Sequence, residues 1–270
     1  MAGLKGRPAV YGGQVIGQAL VAALATVEPV FHPHSFHCYF IRAGDESRPI
    51  LYQVDPVRDG RSFCTRFVKA IQDGEAILTS ELSFHKEEPH SVTHQDRMPP
   101  VPKPEELEDS RSLISTQLTR QDLTPFQRKL LEFRQENQPS LFDLRPVEPE
   151  SWLRLKTSQP KNLVWVKAKD KIGDDFRLQH CAAAFFSDSA MMGTALNPHM
   201  ADGFVPSMMF SLDHSIWIHR YKFRLDDWML YETDSPVSAS SRTLIHGRLW
   251  TRDGDLVLSA AQEALIRSKH

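Results

Sequence analysis

The sequence predicts an α+β protein built from two tandem copies of one helix-and-sheet unit, and three observations support this prediction. First, His34-Ser35 recurs as His214-Ser215, and Asp73-Gly74 recurs as Asp253-Gly254, both at an offset of 180 in a chain of 270 residues. A repeat this long indicates a duplicated domain, since solenoid repeats are much shorter. Second, one helical pattern followed by several strand patterns occurs in each copy, which is typical of an α+β fold. Third, both Asp-Gly pairs separate two strand patterns, as in β-hairpins.

The composition is ordinary for a globular protein, with 41% hydrophobic residues, 24% charged residues and a net charge of −2. This balance provides no electrostatic basis for binding nucleic acid or a membrane surface. No apolar run approaches the roughly 18 residues that a membrane span requires. The three cysteines, Cys38, Cys64 and Cys181, cannot all be paired within the chain and favour a reducing compartment.

The first unit is predicted to occupy residues 1–88. Apolar residues at helical spacing predict a helix over Tyr11–Val27, which ends before Pro29. Strands are then predicted at His37–Ile41, Ile50–Val54, Ser62–Ile71 and Ala76–Phe84. Ten residues precede this helix, whereas two strand patterns precede the helix of the second unit. We therefore expect the first unit to be truncated at its N-terminus.

Residues 89–139 are predicted to form a linker, because a series of prolines excludes them from a sheet. Within this linker, Phe126–Gln135 is predicted to be a short surface helix. The second unit, residues 140–270, contains one predicted helix over Asp175–Leu196 with Asp174 or Asp175 as its N-cap. Its strands are predicted at Leu141–Val147, Leu163–Ala168, Met208–His219, Met229–Thr233, Arg242–Thr251 and Leu256–Arg267.

Asp188 is the first candidate for a catalytic residue. It lies in an apolar helical segment, on a face shared with Phe185 and Met191. A buried carboxylate requires a partner, and desolvation raises its pKa toward the range of a useful general base. At the offset of 176 that relates the two helices, the first unit has Gly12 in its place. The alternative is a structural role, in which the carboxylate only hydrogen-bonds nearby backbone.

Comparison of the two units identifies two further candidates. Gln262 lies on the apolar face of the last strand, where the residue at offset 180 in the first unit is Leu82. Ser211 replaces Phe31 at the same offset. A buried amide needs hydrogen-bond partners, and bound water, a substrate carbonyl or neighbouring backbone would supply them. Because each polar replacement occurs in the second unit, we expect one site per chain.

Other kinds of site are not indicated. His32, His34 and His37 lack a carboxylate or cysteine at a matching ligand spacing, so no metal site is predicted. The sequence contains neither a Gly-x-Ser-x-Gly nucleophile elbow nor a glycine-rich phosphate loop. We therefore expect neither a metal nor a bound cofactor.

Several strings resemble those of the type II acyl-CoA thioesterases, which include bacterial and peroxisomal enzymes. They are Tyr11–Leu20, His34–His37, Arg58–Phe63, His180–Leu196, Leu212–Trp217 and Ala261–Glu263. The resemblance covers nearly the whole chain outside the linker. It implies a double hot-dog fold, in which an antiparallel sheet wraps each of two long helices.

The resemblance also implies a catalytic set: an Asp on the second helix, a Ser or Thr before the Asp-His-Ser string, and a Gln on the final strand. Those positions hold Asp188, Ser211 and Gln262. The implied reaction is hydrolysis of fatty acyl-CoA to free fatty acid and coenzyme A, with the three side chains activating a water. One alternative is a hot-dog enoyl-CoA hydratase, which would pair Asp with a catalytic His, but no histidine near Asp188 is clearly placed for that role. Another is a non-catalytic acyl-CoA-binding or interaction protein, which a truncated first unit favours and the three intact polar residues oppose.

The chain ends in Ser268-Lys269-His270, which resembles the peroxisomal Ser-Lys-Leu signal with His in place of Leu. Together with the family resemblance, this ending predicts the peroxisomal matrix as the location, and the cytoplasm is the alternative. The expected partners are acyl-CoA as substrate, further copies of the chain in a homo-oligomer, and a peroxisomal import receptor that reads the terminal tripeptide. No nucleic-acid partner and no membrane span are expected.

Overall fold

The chain folds into one eleven-stranded antiparallel sheet with helices packed against it. The computed structural model describes residues 9–137, 141–189, 191–200 and 203–268. The helices are α1 (Gly12–Leu24), α2 (Ser110–Leu118), α3 (Pro125–Glu136), α4 (Pro149–Leu153), α5 (Phe176–Ser187) and α6 (Met191–Thr194). The strands are β1 (Phe31–Phe40), β2 (Leu51–Asp59), β3 (Phe63–Gln72), β4 (Glu75–Lys86), β5 (Phe142–Pro146), β6 (Lys161–Ala168), β7 (Pro206–Ser211), β8 (Asp213–Ile218), β9 (Met229–Ala239), β10 (Arg242–Thr251) and β11 (Leu256–Ser268).

The two units meet in the middle of the sheet. Its strand order is β2-β3-β4-β1-β8-β11-β10-β9-β6-β5, and β7 pairs with the end of β11. Strands β1 and β8 are antiparallel neighbours, with His37 opposite Ser215 and Cys38 opposite His214. The repeated His-Ser strings lie on these two strands, so the duplication places its matching segments side by side.

The two long helices lie against each other and against the sheet. The inner face of α1 is apolar, and Ile16, Ala19 and Leu20 are almost completely buried. Gly17 allows α1 to approach α5 closely, because a Cβ at this position would lie 3.2 Å from the Cys181 carbonyl oxygen. Full burial of a leucine or isoleucine side chain stabilises a fold by about 1.5–3 kcal/mol. Both predicted helices are thus buried, and the double hot-dog fold is confirmed.

The predicted continuous helix over Asp175–Leu196 is wrong. Helix α5 ends at Ser187, Asp188 is its C-cap, and the short helix α6 follows. The Tyr231 hydroxyl donates to the Ser187 carbonyl oxygen at 2.6 Å, so tertiary contacts satisfy groups that would otherwise require another helical turn. The N-cap is Asp175, whose side chain accepts a hydrogen bond from the Arg177 N–H. Consequently, Asp188 lies at the end of a helix and not within one.

The strands differ from prediction mainly in the length of three proline-containing strands and in the division of a fourth strand. Strands β1, β2 and β9 are longer than predicted, and each contains a proline: Pro33, Pro56 and Pro236. Register shifts next to Pro33 and Pro56 accommodate the missing N–H groups, as β-bulges do. The predicted strand Met208–His219 is in fact two strands, β7 and β8, separated at Leu212.

The proline-rich linker is an ordered segment that covers the outer face of the second unit. The Trp165 indole N–H donates to the Pro102 carbonyl oxygen at 3.0 Å. Met98, Val101 and Leu107 pack on the buried cluster of Trp165, Leu230 and Trp250. As predicted, no strand occurs between residues 88 and 137, all of which the structure describes.

The linker contains two α-helices, whereas one was predicted. The predicted helix is confirmed as α3, and a capping box between Thr124 and Gln127 begins it. Although α3 is largely exposed, its Leu131 is fully buried. Helix α2, which is capped by Asp109 and buries Ile114, was not predicted. With few apolar residues on this nine-residue helix, local periodicity does not identify it.

Candidate active site

The structure brings together the three side chains that the sequence singled out. Asp188 follows α5, Ser211 ends β7, and Gln262 lies on the inward face of β11. The Ser211 hydroxyl lies 3.3 Å from Asp188 Oδ1, and the Gln262 amide nitrogen donates to Ser211 Oγ at 2.5 Å. Asp188 is 7% exposed and Gln262 is completely buried. This proximity supports the predicted site, while the catalytic role of each residue stays a prediction.

Asp188 also receives a hydrogen bond from the first unit. Its Oδ2 accepts from the Gly13 backbone N–H at 2.9 Å, in the first turn of α1. The first N–H groups of a helix lack partners within it, and the helix dipole favours negative charge there. Burial raises the pKa of Asp188, while the neighbouring His214 and the bonds from Gly13, Ser211 and Gln262 oppose that rise. The site therefore includes both units, although its side chains come from the second.

Gly12 and Gly13 allow the close approach of α1 to Asp188. A Cβ at Gly12 would lie 2.9 Å from Asp188 Oδ2, and a Cβ at Gly13 would lie 2.2 Å from the Phe185 carbonyl oxygen. The second of these contacts involves backbone, so it can be relieved only by moving one helix relative to the other. The paired glycines in the Tyr11-Gly12-Gly13 string are the sequence signal for this contact.

Gly13→Ala is expected to lower both activity and stability. The added methyl group forces α1 away from Phe185 and withdraws the N–H from Asp188. Misplacing a catalytic group by 1 Å costs up to about 10²-fold, so we expect kcat to fall at least about tenfold. Overpacking should lower the free energy of unfolding by about 1–3 kcal/mol. Thioester hydrolysis assays and denaturant unfolding measure the two effects.

The control for this variant is Gln14→Ala, which changes the exposed neighbour on the same helical turn. Alanine is a good helix former, so this control should keep wild-type activity and stability. If Gly13→Ala behaves like Gln14→Ala, the close contact between α1 and Asp188 is not needed.

His214 is a buried member of the site that was not predicted from the sequence. Its Nδ1 lies 3.0 Å from Gln262 Oε1, and its Nε2 lies 2.9 Å from Ser187 Oγ. Burial lowers the pKa of His214, and the Asp188 carboxylate opposes that shift. A histidine therefore does lie near Asp188, with its two ring nitrogens engaged by Gln262 and Ser187. The sequence signal for His214 is the Asp213-His214-Ser215 string. Because the matching string of the first unit also contains a histidine, His34, the repeat does not mark His214 as part of a site.

The other ionisable groups around Asp188 are held neutral. Burial and the charge of Asp188 both raise the pKa of Tyr11, Tyr231 and the Cys38 thiol. The Tyr11 hydroxyl donates to the Phe185 carbonyl oxygen at 3.1 Å, so it also helps to position the end of α5. These three groups are therefore not available as proton acceptors near neutral pH.

No group of three or more His, Cys, Asp or Glu side chains is arranged to hold a metal ion in the part of the chain that the structure describes. Within the same residues, no helix is long and apolar enough to cross a membrane. Cys38, Cys64 and Cys181 are buried free thiols.

The protein has a double hot-dog fold, and two family models identify its class as the acyl-CoA thioesterases. Residues 4–85 match the family model described as the acyl-CoA thioesterase N-terminal domain. Residues 139–265 match the family model described as acyl-CoA thioesterase.

Individual relatives agree with these matches. The chain is 46% identical over 261 residues to acyl-coenzyme A thioesterase 8 of Rattus norvegicus. The alignment covers 96% of this chain and 81% of the relative. It is 26% identical over 307 residues to the peroxisomal acyl-coenzyme A thioester hydrolase 1 of Saccharomyces cerevisiae. This alignment covers 97% of this chain and 86% of the relative. The crystal structure of an acyl-CoA thioesterase II from Mycobacterium marinum is 34% identical, with a TM-score of 0.77 and coverage of 97% and 91%. The chain belongs to the acyl-CoA thioesterase family.

Proposed function

We propose that this protein hydrolyses fatty acyl-CoA to free fatty acid and coenzyme A, with Asp188, Ser211 and Gln262 activating the attacking water. The observation that carries this proposal is the buried Asp188 carboxylate, which accepts hydrogen bonds at both oxygens, from Gly13 and from Ser211. Accepting at both oxygens favours the ionised form of Asp188, which is able to take a proton. Membership of the acyl-CoA thioesterase family supports the choice of substrate.

In the proposed reaction, Asp188 takes a proton from water while the water oxygen attacks the thioester carbonyl carbon. The carbon–sulfur bond of the tetrahedral intermediate then breaks, and the proton held by Asp188 passes to the departing coenzyme A sulfur. The Gln262 amide is the donor that the site offers to the oxyanion, through the N–H that does not bond to Ser211. No covalent acyl-enzyme is needed.

Burial makes the Asp188 carboxylate a stronger base, as the proposed role requires. An exposed aspartate has a pKa of about 3.9 and is a weak base at neutral pH. Desolvation raises the pKa of Asp188 and makes the carboxylate a better proton acceptor. The hydrogen bonds from Gly13 and Ser211 limit the rise and keep the carboxylate ionised when water binds.

The enoyl-CoA hydratase alternative is favoured by one observation, the presence of His214 near Asp188. However, His214 is completely buried, and its two ring nitrogens are engaged by Gln262 and Ser187. A histidine held in this way is poorly placed to protonate a substrate. We therefore prefer thioester hydrolysis.

The test is thiol release from a panel of saturated and 2-enoyl-CoA substrates of increasing chain length, followed with a thiol reagent. Hydrolysis releases one free thiol per acyl group. Hydration of the enoyl-CoA removes its double-bond absorbance without releasing thiol, and a binding protein produces neither signal. Because the cysteines of the protein are buried, the folded enzyme should contribute little background.

We also propose a location in the peroxisomal matrix, reached through an import receptor that recognises the C-terminal tripeptide. One relative is named as a peroxisomal thioester hydrolase, and the terminal string resembles a peroxisomal signal. Lys269 and His270 lie outside the described residues. An N-terminally tagged protein should be partly peroxisomal, and His270→Leu should increase that fraction. A wholly cytoplasmic distribution for both proteins would contradict the proposal.

We further propose that the protein is a homo-oligomer. Tyr39 of β1 and Trp217 of β8 are 62% and 38% exposed on adjacent central strands of the sheet. Large aromatic side chains on an open sheet face are typical of protein–protein interfaces. Light scattering after size exclusion measures the assembly mass, and Tyr39→Glu should lower it.

A further inference from the structure

A continuous row of hydrogen bonds leads to the Asp188 carboxylate from behind the proposed reaction site. It begins at the Ser187 hydroxyl, passes through the His214 ring and the Gln262 amide, and reaches Asp188 through the Ser211 hydroxyl. The successive separations are 2.9, 3.0, 2.5 and 3.3 Å. Ser187, His214 and Gln262 are each at most 1% exposed, so protein groups and not bulk solvent decide the direction of these bonds.

The ionised state of Asp188 determines that direction. The carboxylate can only accept, so the single proton of the Ser211 hydroxyl points toward Asp188 Oδ1. Ser211 Oγ must then accept a bond, and the Gln262 Nε2 group donates it. The other end of the amide, Oε1, faces His214 and requires a proton on His214 Nδ1. Neutral His214 therefore carries its proton on Nδ1. Its Nε2 faces the Ser187 hydroxyl, whose single proton is shared between this nitrogen and the Ala184 carbonyl oxygen, each 2.9 Å from Ser187 Oγ.

The reverse orientation of Gln262 is sterically similar, because the amide oxygen and nitrogen differ little in size. In that orientation Oε1 would face Ser211 and take its hydroxyl proton, so Asp188 would lose this donor. Packing alone does not distinguish the two orientations. The proton on His214 Nδ1 does, because it attracts the amide oxygen and repels the amide N–H.

We propose that His214 is a positioning residue, whose Nδ1–H holds the Gln262 amide in the orientation that directs the Ser211 hydroxyl onto Asp188. This inference rests on the proposed function of the Asp188 site. It assigns the buried histidine of the Asp-His-Ser string a task distinct from proton transfer to substrate.

A pH profile can report this role. The groups that face Asp188 from the surrounding elements are Tyr11 ahead of α1, Cys38 on β1, His214 on β8 and Tyr231 on β9. The two tyrosines and the thiol have raised pKa values and stay neutral over the acidic and neutral range. Because hydrogen bonds to a carboxylate lower its pKa, losing the Ser211 donor should raise the pKa of Asp188. The acidic limb of kcat/KM should then move to higher pH.

The experiment compares three substitutions of His214. His214→Asn places an amide nitrogen near the position of Nδ1 and keeps a donor toward Gln262. His214→Gln places its amide nitrogen near the position of Nε2, toward Ser187, and His214→Leu removes both polar atoms. We expect kcat within about fivefold of wild type for Asn, and a fall of at least about 30-fold for Gln and Leu, below the loss of roughly 10²–10³-fold for a direct oxyanion donor. For Gln and Leu, KM should be nearly unchanged and the acidic limb should shift upward, whereas Asn should retain the wild-type limb.

The matched control is His219→Asn, the same substitution at an exposed position of the same chain segment, where the ring contacts Ser259. It should leave kcat and the pH profile unchanged. Spectra of the enzyme labelled with 15N in histidine add a readout independent of turnover. We expect the Nδ1–H tautomer for His214, and an Nε2–H tautomer would overturn the proposal.

Measuring Asp188→Asn in the same assays distinguishes a failure of the proposed function from a failure of the positioning role of His214. If Asp188→Asn remains active, the proposed function fails whatever the His214 variants do. If Asp188→Asn is inactive but His214→Gln and His214→Leu keep wild-type kcat and pH profile, the positioning role alone is overturned. It is also overturned if His214→Asn loses as much activity as His214→Leu, since the histidine would then matter for packing.

Discussion

Asp188→Asn is expected to lower kcat at least about 100-fold, because general-base contributions are typically 10²–10⁴-fold. Asparagine preserves the shape of the side chain but lacks a basic oxygen, so the substitution tests water activation and not packing. Acyl-CoA binding should persist. Removing a buried charge also relieves a desolvation penalty, so the free energy of unfolding should be equal to or above that of wild type. Steady-state thiol release and denaturant unfolding measure the two quantities.

The control for this substitution is Asp253→Asn in the exposed turn between β10 and β11. It removes the same charge far from the reaction and should leave kcat unchanged. A folded Asp188→Asn protein with kcat within a few-fold of wild type would rule out Asp188 as the base.

Gln262→Leu is expected to lower kcat by about 10²–10³-fold, the usual result of removing one donor from an oxyanion or water site. The substitution gives the second unit the residue that the first unit has at the matching position, Leu82, and it keeps the volume of the side chain. It leaves the His214 Nδ1–H without its acceptor and removes the hydrogen bond that Ser211 Oγ accepts from Gln262. An unsatisfied buried polar group costs about 1–3 kcal/mol, so the free energy of unfolding should also fall.

Gln53→Leu on β2 provides the control, because its amide is exposed and donates a hydrogen bond to the neighbouring Asp55. It should have no effect on kcat. If Gln262→Leu has the stability loss but keeps its kcat, the amide is structural and the proposed site consists of Asp188 and Ser211 alone.

The duplicated α+β architecture and the three candidate side chains could be predicted from the sequence, because both depend on patterns that repeat. Comparing the two copies of the unit shows which positions hold an apolar residue in one copy and a polar residue in the other. At such positions Gln262 replaces Leu82 and Ser211 replaces Phe31, and in both cases the polar residue is in the second unit. Burying a polar group is unfavourable without a partner, so residue type and position are enough to mark these replacements as a candidate site.

Contacts between distant segments were decided only by the tertiary structure. The Gly13 N–H and Asp188 are 175 residues apart, and no local periodicity predicts that the first turn of one helix meets the end of the other. The end of α5 at Ser187 depends on the Tyr231 hydroxyl, which arrives from β9. Residue periodicity describes one helix or strand at a time, so it cannot predict a hydrogen-bond partner that lies on another element.

His34 and His214 show the same limit most clearly. They occupy matching positions in the two repeated His-Ser strings, and the strings themselves do not distinguish their roles. In the structure His34 contacts the Ser83 hydroxyl, whereas His214 contacts Gln262. The sequence by itself determined the fold, the repeat and the polar replacements, because these follow from residue type and spacing. The tertiary structure alone decided which histidine joins the site, because a side chain's hydrogen bonds depend on the neighbours that folding places around it.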